Sequence, residues 1–261
     1  MFRSLHIAAT GMAAQETQLE GVANNIANAN TTGFKRQRIE FQDLLYQTVR
    51  GAGTRTSEST RSPTGIQLGS GVRVSGTSRS FAQGNILMTN NPLDVAIEGD
   101  GFFVVQQPDG TTAYTRAGAL QKDAQGQLVT PEGNLIDPPI IVPPDATSVT
   151  IGADGTVSAL IDGQAAPADI GQLTIANFVN PAGLNAVGKN LFVETSASGE
   201  AQIGAPGVDG RGTLMQGALE RANVDVVEEM IGMISAQRAY EVNTKVVTTA
   251  DEMLRSATQM K

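Results

Sequence analysis

Both ends of the chain carry a seven-residue periodicity, and the long stretch between them does not. Near the start, Leu5, Met12, Leu19 and Ile26 recur every seven residues, with Ala8, Gln15, Val22 and Ala29 three positions later. Near the end, Val226, Met233, Tyr240, Val247 and Leu254 repeat the pattern, with companions Glu229, Ala236, Asn243, Ala250 and Ala257. Met230, Ile231 and Ile234 widen the apolar face there. Apolar positions at this interval put one stripe on a helix and favour a coiled-coil seam. The first helix would be about 39 Å long at ~1.5 Å per residue, with Gly33 as its stop signal. Asn223 and Asp225 are candidate N-caps of the last helix, and Glu228 and Glu229 suit its positive end.

The period changes between the helices. Residues 51–80 are dominated by Gly, Ser, Thr and Arg, which points to an extended or looped connector. From about residue 81 the signals are those of strands. Val95, Ile97, Phe103 and Val105 share one alternation, interrupted by Gly99-Asp100-Gly101. Acidic-Gly pairs recur at Asp109-Gly110, Glu132-Gly133, Asp154-Gly155 and Asp162-Gly163, and such pairs suit hairpins whose central residues take positive φ. The expected fold class is therefore α+β. Its N- and C-terminal α-helices pair as a coiled-coil-like core domain, residues 1–45 with 220–261. An extended connector covers 46–75, and an inserted all-β body covers 76–219.

Two local features ask for an explanation. Residues 23–36, ANNIANANTTGFKR, place Asn24, Asn25, Asn28 and Asn30 at the end of the first helix, although Asn competes with the helix for backbone hydrogen bonds. Asn25 and Asn30 flank the seam, and Asn24 and Asn28 point away from it. The second feature is charge. The net charge is −8, yet residues 35–79 hold eight of the 18 basic residues, against Glu40, Asp43 and Glu58. The body between 80 and 219 is strongly acidic. Either this is ordinary surface variation, or the basic arm, with Arg55, Arg61 and Arg73, meets the acidic body of another copy. Nucleic acid is disfavoured by the acidic total and by aromatic residues at only 4%.

Reactive chemistry is sparse. His6 is the single histidine and there is no cysteine, which removes the usual zinc sites and leaves a Ser-His-Asp triad dependent on one helical residue. No catalytic, cofactor-binding or metal-binding residue is assigned, and the chain is expected not to be an enzyme. Asp94 and Glu98 are the pair a glycan-hydrolase reading would use, and solvated strand residues are the better reading. No apolar run reaches the ~18 residues of a membrane span. The N-terminus has no apolar core of a cleavable secretory signal.

Three long stretches resemble the axial proteins of the bacterial flagellar rod and hook. These are ANNIANANTTGFKR near the N-terminus, LDVAIEGDGFFVV (93–105) with the following AYTRAGAL and GQLVTPEGN, and NVDVVEEMIGMISAQRAYEVNTKVVTTADEML (223–254). The resemblance implies a structural subunit of the flagellar basal body that polymerises with copies of itself into a hollow, torque-transmitting shaft. The small body favours rod over hook, and FKRQRIEFQDLLYQTVR (34–50) and residues 56–74 favour the distal rod. The implied partners are proximal rod proteins, the hook protein, the peptidoglycan and outer-membrane ring proteins, and the flagellar export apparatus. The implied location runs from the periplasm to the outer membrane, reached through the type III apparatus without a cleaved signal. On this reading Leu5, Met12, Leu19, Ile26, Met233, Tyr240, Val247 and Leu254 are assembly residues. Asn25 and Asn30 would hydrogen-bond between subunits or simply fray the helix end.

Overall fold

A computed structural model of the chain describes residues 2–53, 62–162 and 166–259. They form two units. One comprises the chain up to residue 27, residues 37–78 and the chain from 225 onward; the other comprises 28–36 and 79–224. Residues 28–36 and 220–224 thus belong with the body, whereas the sequence had suggested that they go with the helical ends.

The first unit is built on α1 (Phe2–Ala27) and α2 (Val226–Gln259). They run antiparallel, since Asn25 meets Glu229, Val22 lies near Gly232, and Met12 meets Thr244. Asp225 is the N-cap of α2, its Oδ1 accepting from the backbone N–H of Val227 and Glu228 at 2.9 and 3.3 Å. Beside the helices lie four short strands, β1 (Gln37–Asp43), β2 (Gln47–Arg50), β3 (Ile66–Leu68) and β4 (Val72–Arg79). β1 pairs with β4, and β2 with β3. The segment expected as a connector therefore carries paired strands at both ends.

Among its described residues, the second unit is built of strands and connecting turns, with one 3-10 turn, Pro181–Gly183. Its organising strands are β5 (Ile86–Met88), β6 (Val95–Glu98), β7 (Phe102–Gln106) and β8 (Thr112–Thr115). β7 pairs antiparallel with β8, with Leu135–Ile136 and with Ile175–Asn177. The strand alternation then feeds two cores. Phe103 and Val105 enter the larger one with Val95, Ile97, Leu128, Ile136 and Leu173. Phe102 and Val104 enter a smaller one with Tyr114, Phe178 and Phe192, whose rings meet edge to face, as Tyr114 and Phe178 do at 4.8 Å.

The acidic-Gly turns form, but by a different geometry from the one expected. Only the glycine takes positive φ, +82° at Gly110, +84° at Gly133 and +84° at Gly155. Where the acid is Asp it works as an acceptor instead, Asp109 Oδ1 and Asp154 Oδ1 receiving the N–H of Thr111 and Thr156 at 3.0 and 3.1 Å. Gly163 lies outside the described residues.

A buried ion cluster holds residues 28–36 on the body. Glu220 Oε1 accepts from Lys35 Nζ at 2.7 Å and from the Gly84 N–H at 2.7 Å, and its Oε2 accepts from Arg116 Nε at 2.9 Å. The side chains of Lys35, Glu220 and Arg116 are 1%, 1% and 3% exposed. Lys35 also donates to the carbonyls of Ala82 and Phe81, and Arg116 to those of Gly99 and Gly101. Gly33 is required here twice over. Its φ is +70°, and a Cβ would come within 2.7 Å of the Ala117 backbone nitrogen. Asn223, expected as a helix cap, instead accepts from the Arg36 N–H and donates to the carbonyls of Ser80 and Ala82.

Burial alone would push the Glu220 carboxyl up, but Arg116, Lys35 and the Gly84 N–H outweigh it and hold it below its ordinary value. Burial and Arg116 push the Lys35 ammonium down, with Glu220 restoring part of the loss. The folded state therefore gains from ionised Glu220 above the ordinary glutamate pKa of about 4.3. That gain is lost as the pH falls through the lower folded value. Replacing Glu220 by Gln leaves two buried cations without a counter-charge and is expected to cost roughly 3–5 kcal/mol. Urea unfolding read by amide exchange in β7 measures this. The acid sensitivity of the body below about pH 4 should shrink in the same variant.

Candidate assembly surfaces

The helix pair is closed by small residues. Ala8, Ala14, Val22 and Asn25 of α1 are buried, as are Glu229, Ala236 and Ala250 of α2. The heptad residues expected to make the seam, Leu5, Met12, Leu19 and Ile26 with Met233, Val247 and Leu254, are half-buried at its margins. Tyr240 is 40% exposed. Five of these seven, Ala8, Val22, Glu229, Ala236 and Ala250, lie three residues after a heptad position. Small side chains there let two helices approach closely. Gly11 shows how closely, since a Cβ would lie 2.9 Å from Asn243 Nδ2.

Asn25 has a role inside the chain. It is 2% exposed. Its Oδ1 accepts the Gln37 N–H at 2.9 Å, and its Nδ2 donates to the Gln37 carbonyl at 2.9 Å and to Glu229 Oε2 at 3.2 Å. One amide therefore completes both backbone groups of the first residue of β1 and ties α1 to the first turns of α2. Only a side chain with both donor and acceptor can do this. The other asparagines also have partners within the chain. Asn24 Nδ2 donates to Gln37 Oε1, Asn28 Oδ1 accepts from Thr31 Oγ1, and exposed Asn30 accepts from Arg221 at 3.0 Å. The structure gives Asn25 no face for another chain. Its environment could not be read from periodicity, because Gln37 and Glu229 are distant in sequence or on another element.

Arginines pin the strands of the first unit. Arg3 donates to Gln47 Oε1 at 2.8 Å and to the carbonyls of Leu68 and Gly69 at 2.6 and 3.1 Å. Arg73 donates to Gln42 Oε1 at 2.8 Å, from β4 to β1. Arg55 and Arg61 lie outside the described residues. β2, β3 and the connection between β1 and β2 leave Leu45, Tyr46, Val49, Ile66 and Leu68 exposed, Leu45 by 90%. α2 leaves Val227, Met230, Ile231, Ile234, Val242 and Val246 exposed. Met230, Ile231 and Ile234, expected to widen the seam, thus face away from it.

Asp94 and Glu98, the pair a glycan-hydrolase reading would use, have unlike surroundings. Asp94 accepts from Thr89 Oγ1 and Asn91 Nδ2 at 2.6 and 2.9 Å and shapes a turn, while Glu98 is exposed at the end of β6. Among the described residues no group of three or more His, Asp or Glu side chains could hold a metal ion. No described helix is long and apolar enough to cross a membrane.

Asn25→Ala leaves the Gln37 backbone groups without their side-chain partner and is expected to cost roughly 1–3 kcal/mol. Asn25→Asp should cost more, because it sets a second carboxylate against Glu229 and loses the donor. Thermal unfolding followed by helical circular dichroism ranks the two variants.

Comparison with known proteins finds three matching families along the chain. Residues 5–35 match "Flagella basal body rod protein", residues 96–159 match "Flagellar hook protein FlgE/F/G D1 domain", and residues 215–260 match "Flagellar basal body rod FlgEFG protein C-terminal". The flagellar basal-body rod protein FlgG of Caulobacter vibrioides is 50% identical over 260 residues, covering 99% of each chain. That of Borreliella burgdorferi is 49% identical, covering 100% of this chain and 99% of its own. That of Bacillus subtilis is 40% identical, with full coverage of both. The matched segment 5–35 ends on Lys35, and 215–260 contains Glu220, so the buried ion pair joins two family signatures.

Proposed function

The chain belongs to the family of flagellar basal-body rod proteins, and we propose that it polymerises with itself into the distal rod, a hollow shaft that turns the hook. It is a structural subunit of the flagellar rod. The observation that carries the polymer reading is the helix pair. It consumes small residues inside and leaves branched apolar side chains outside, and a contiguous exposed apolar surface marks an interaction site.

In this reading the unit of residues 1–27, 37–78 and 225–261 is the polymerising core, its segment 46–75 meets neighbours, and 28–36 with 79–224 form the body. Leu5, Met12, Leu19, Ile26, Met233, Val247 and Leu254 support assembly by holding the helix pair, while Tyr240 and Asn30 are exposed enough to meet another copy. The partners are proximal rod proteins, the hook protein, the peptidoglycan and outer-membrane rings and the export apparatus. The subunit crosses to its place between periplasm and outer membrane through that apparatus, without losing a signal segment, and it catalyses no reaction. Arg55, Arg61 and Arg73 add weak contacts to acidic surfaces of neighbours, ~0–1 kcal/mol each, repeated along the polymer.

Electron microscopy of the purified chain should show straight tubes, and a fluorescent fusion should sit at the flagellar base. Soluble, dispersed protein in both experiments would defeat the proposal. Leu19→Asp places a charge at the margin of the helix pair, where burying a leucine is worth roughly 1.5–3 kcal/mol, and should abolish rods and swimming while the body stays folded. Reversing Arg55, Arg61 and Arg73 together should weaken or bend the rod, and unchanged rods would remove the connector contacts from the account.

A further inference from the structure

The helix pair has two outer faces of unlike character. On α2, Val227, Ile231, Ile234, Val242 and Val246 are exposed. At 100° per residue they fall within an arc of about 120° on the side away from the α1 contacts. Arg238 and Lys245 lie near the middle of that arc, with Glu241 at its edge. Ile231, Ile234, Ser235 and Arg238 line a shallow hollow there. On α1, exposed Ala9, Ala13 and Ala23 share one face with exposed Glu16 and Glu20. Among the described residues, Glu16, Glu20, Arg238 and Lys245 have no ion-pair or side-chain hydrogen-bond partner within the chain.

We propose that the apolar outer face of α2 docks on the alanine-and-glutamate face of α1 of a second copy, with Arg238 and Lys245 set against Glu16 and Glu20. This rests on the polymer reading above and names the surface that carries it. The sizes fit, because a face of alanines leaves room for branched side chains to seat while the two helices approach closely. The charges fit as well, two cations on one face and two carboxylates one helical turn apart on the other. The geometry fits a filament. Each copy offers one face of each kind on separate helices, so the contact is head-to-tail and need not close on itself. A symmetric α2-to-α2 contact would instead bring like charges together and stop at two copies. The α2 stripe from 227 to 246 is about 30 Å long and about 10 Å wide, on the order of 300 Å² against the roughly 800 Å² per partner of a standard interface. It is therefore a contact that holds copies when repeated.

The test uses the full chain and its assembly threshold at low salt, followed by light scattering and microscopy. Arg238→Glu with Lys245→Glu, and separately Glu16→Lys with Glu20→Lys, should each raise the protein concentration needed for assembly about tenfold or more. The effect should shrink in high salt, and helical circular dichroism should stay unchanged. An equal mixture of the two variants should assemble near the wild-type threshold, because each charged face then finds its opposite on the other variant. If the Glu16/Glu20 variant alone assembles like the wild type while the Arg238/Lys245 variant does not, α2 docks elsewhere and the proposal fails. It fails too if both variants assemble normally, or if the mixture does not recover. Absence of filaments from the wild-type chain would count against the polymer reading itself.

Discussion

Two cations buried side by side lose their hydration and repel each other, and a fold tolerates this only when a carboxylate and several carbonyls meet them at short range. Glu220 is that carboxylate. It binds Lys35 and Arg116 on separate oxygens and takes the Gly84 N–H as well. The Lys35 and Arg116 side chains use four backbone carbonyls besides. Residues from four distant parts of the chain thereby share one charge balance. The short segment after α1 becomes part of the body, although it is continuous with a helix that belongs to the other unit. Gly33 admits the close approach, its N–H donating to the Glu220 carbonyl at 2.9 Å.

A different economy governs the helices. Inside the pair, alanines and Gly11 bring the helices near one another, so packing contacts come from proximity and not from large side chains. The larger apolar residues are displaced to the margins and outer faces. The pair therefore presents ample apolar surface on its outside. Asn25 adds specificity. Its amide must satisfy Gln37 and Glu229 together, which selects one register between α1, β1 and α2.

The rod family assignment and the internal networks explain each other in part. The asparagine-rich signature looks like an interface motif when read as a string, because amides often register neighbouring chains. In the fold it ends a helix, closes the first residue of a strand, and delivers Lys35 to its buried partner. The residues free to contact other copies are the less distinctive valines, isoleucines, alanines and scattered charges on the helix surfaces.

Periodicity determined a good deal on its own. A heptad repeat can only be satisfied by a helix, and alternation with Gly-containing turns only by strands, so the two terminal helices and the inserted β body were legible from the residues. So was Asp225 as a cap, since capping is a local act between neighbours in sequence. What only the tertiary structure decided was partner choice. Asn25 finding Glu229, Lys35 finding Glu220 and Asn223 bonding Arg36 instead of capping a helix all join positions about 200 residues apart. The same holds for the seam. Heptad counting marks which side of a helix is apolar, but the depth of burial depends on how near the partner backbone can come. That distance is set by Ala8, Gly11 and Ala236, not by the leucines that announce the repeat.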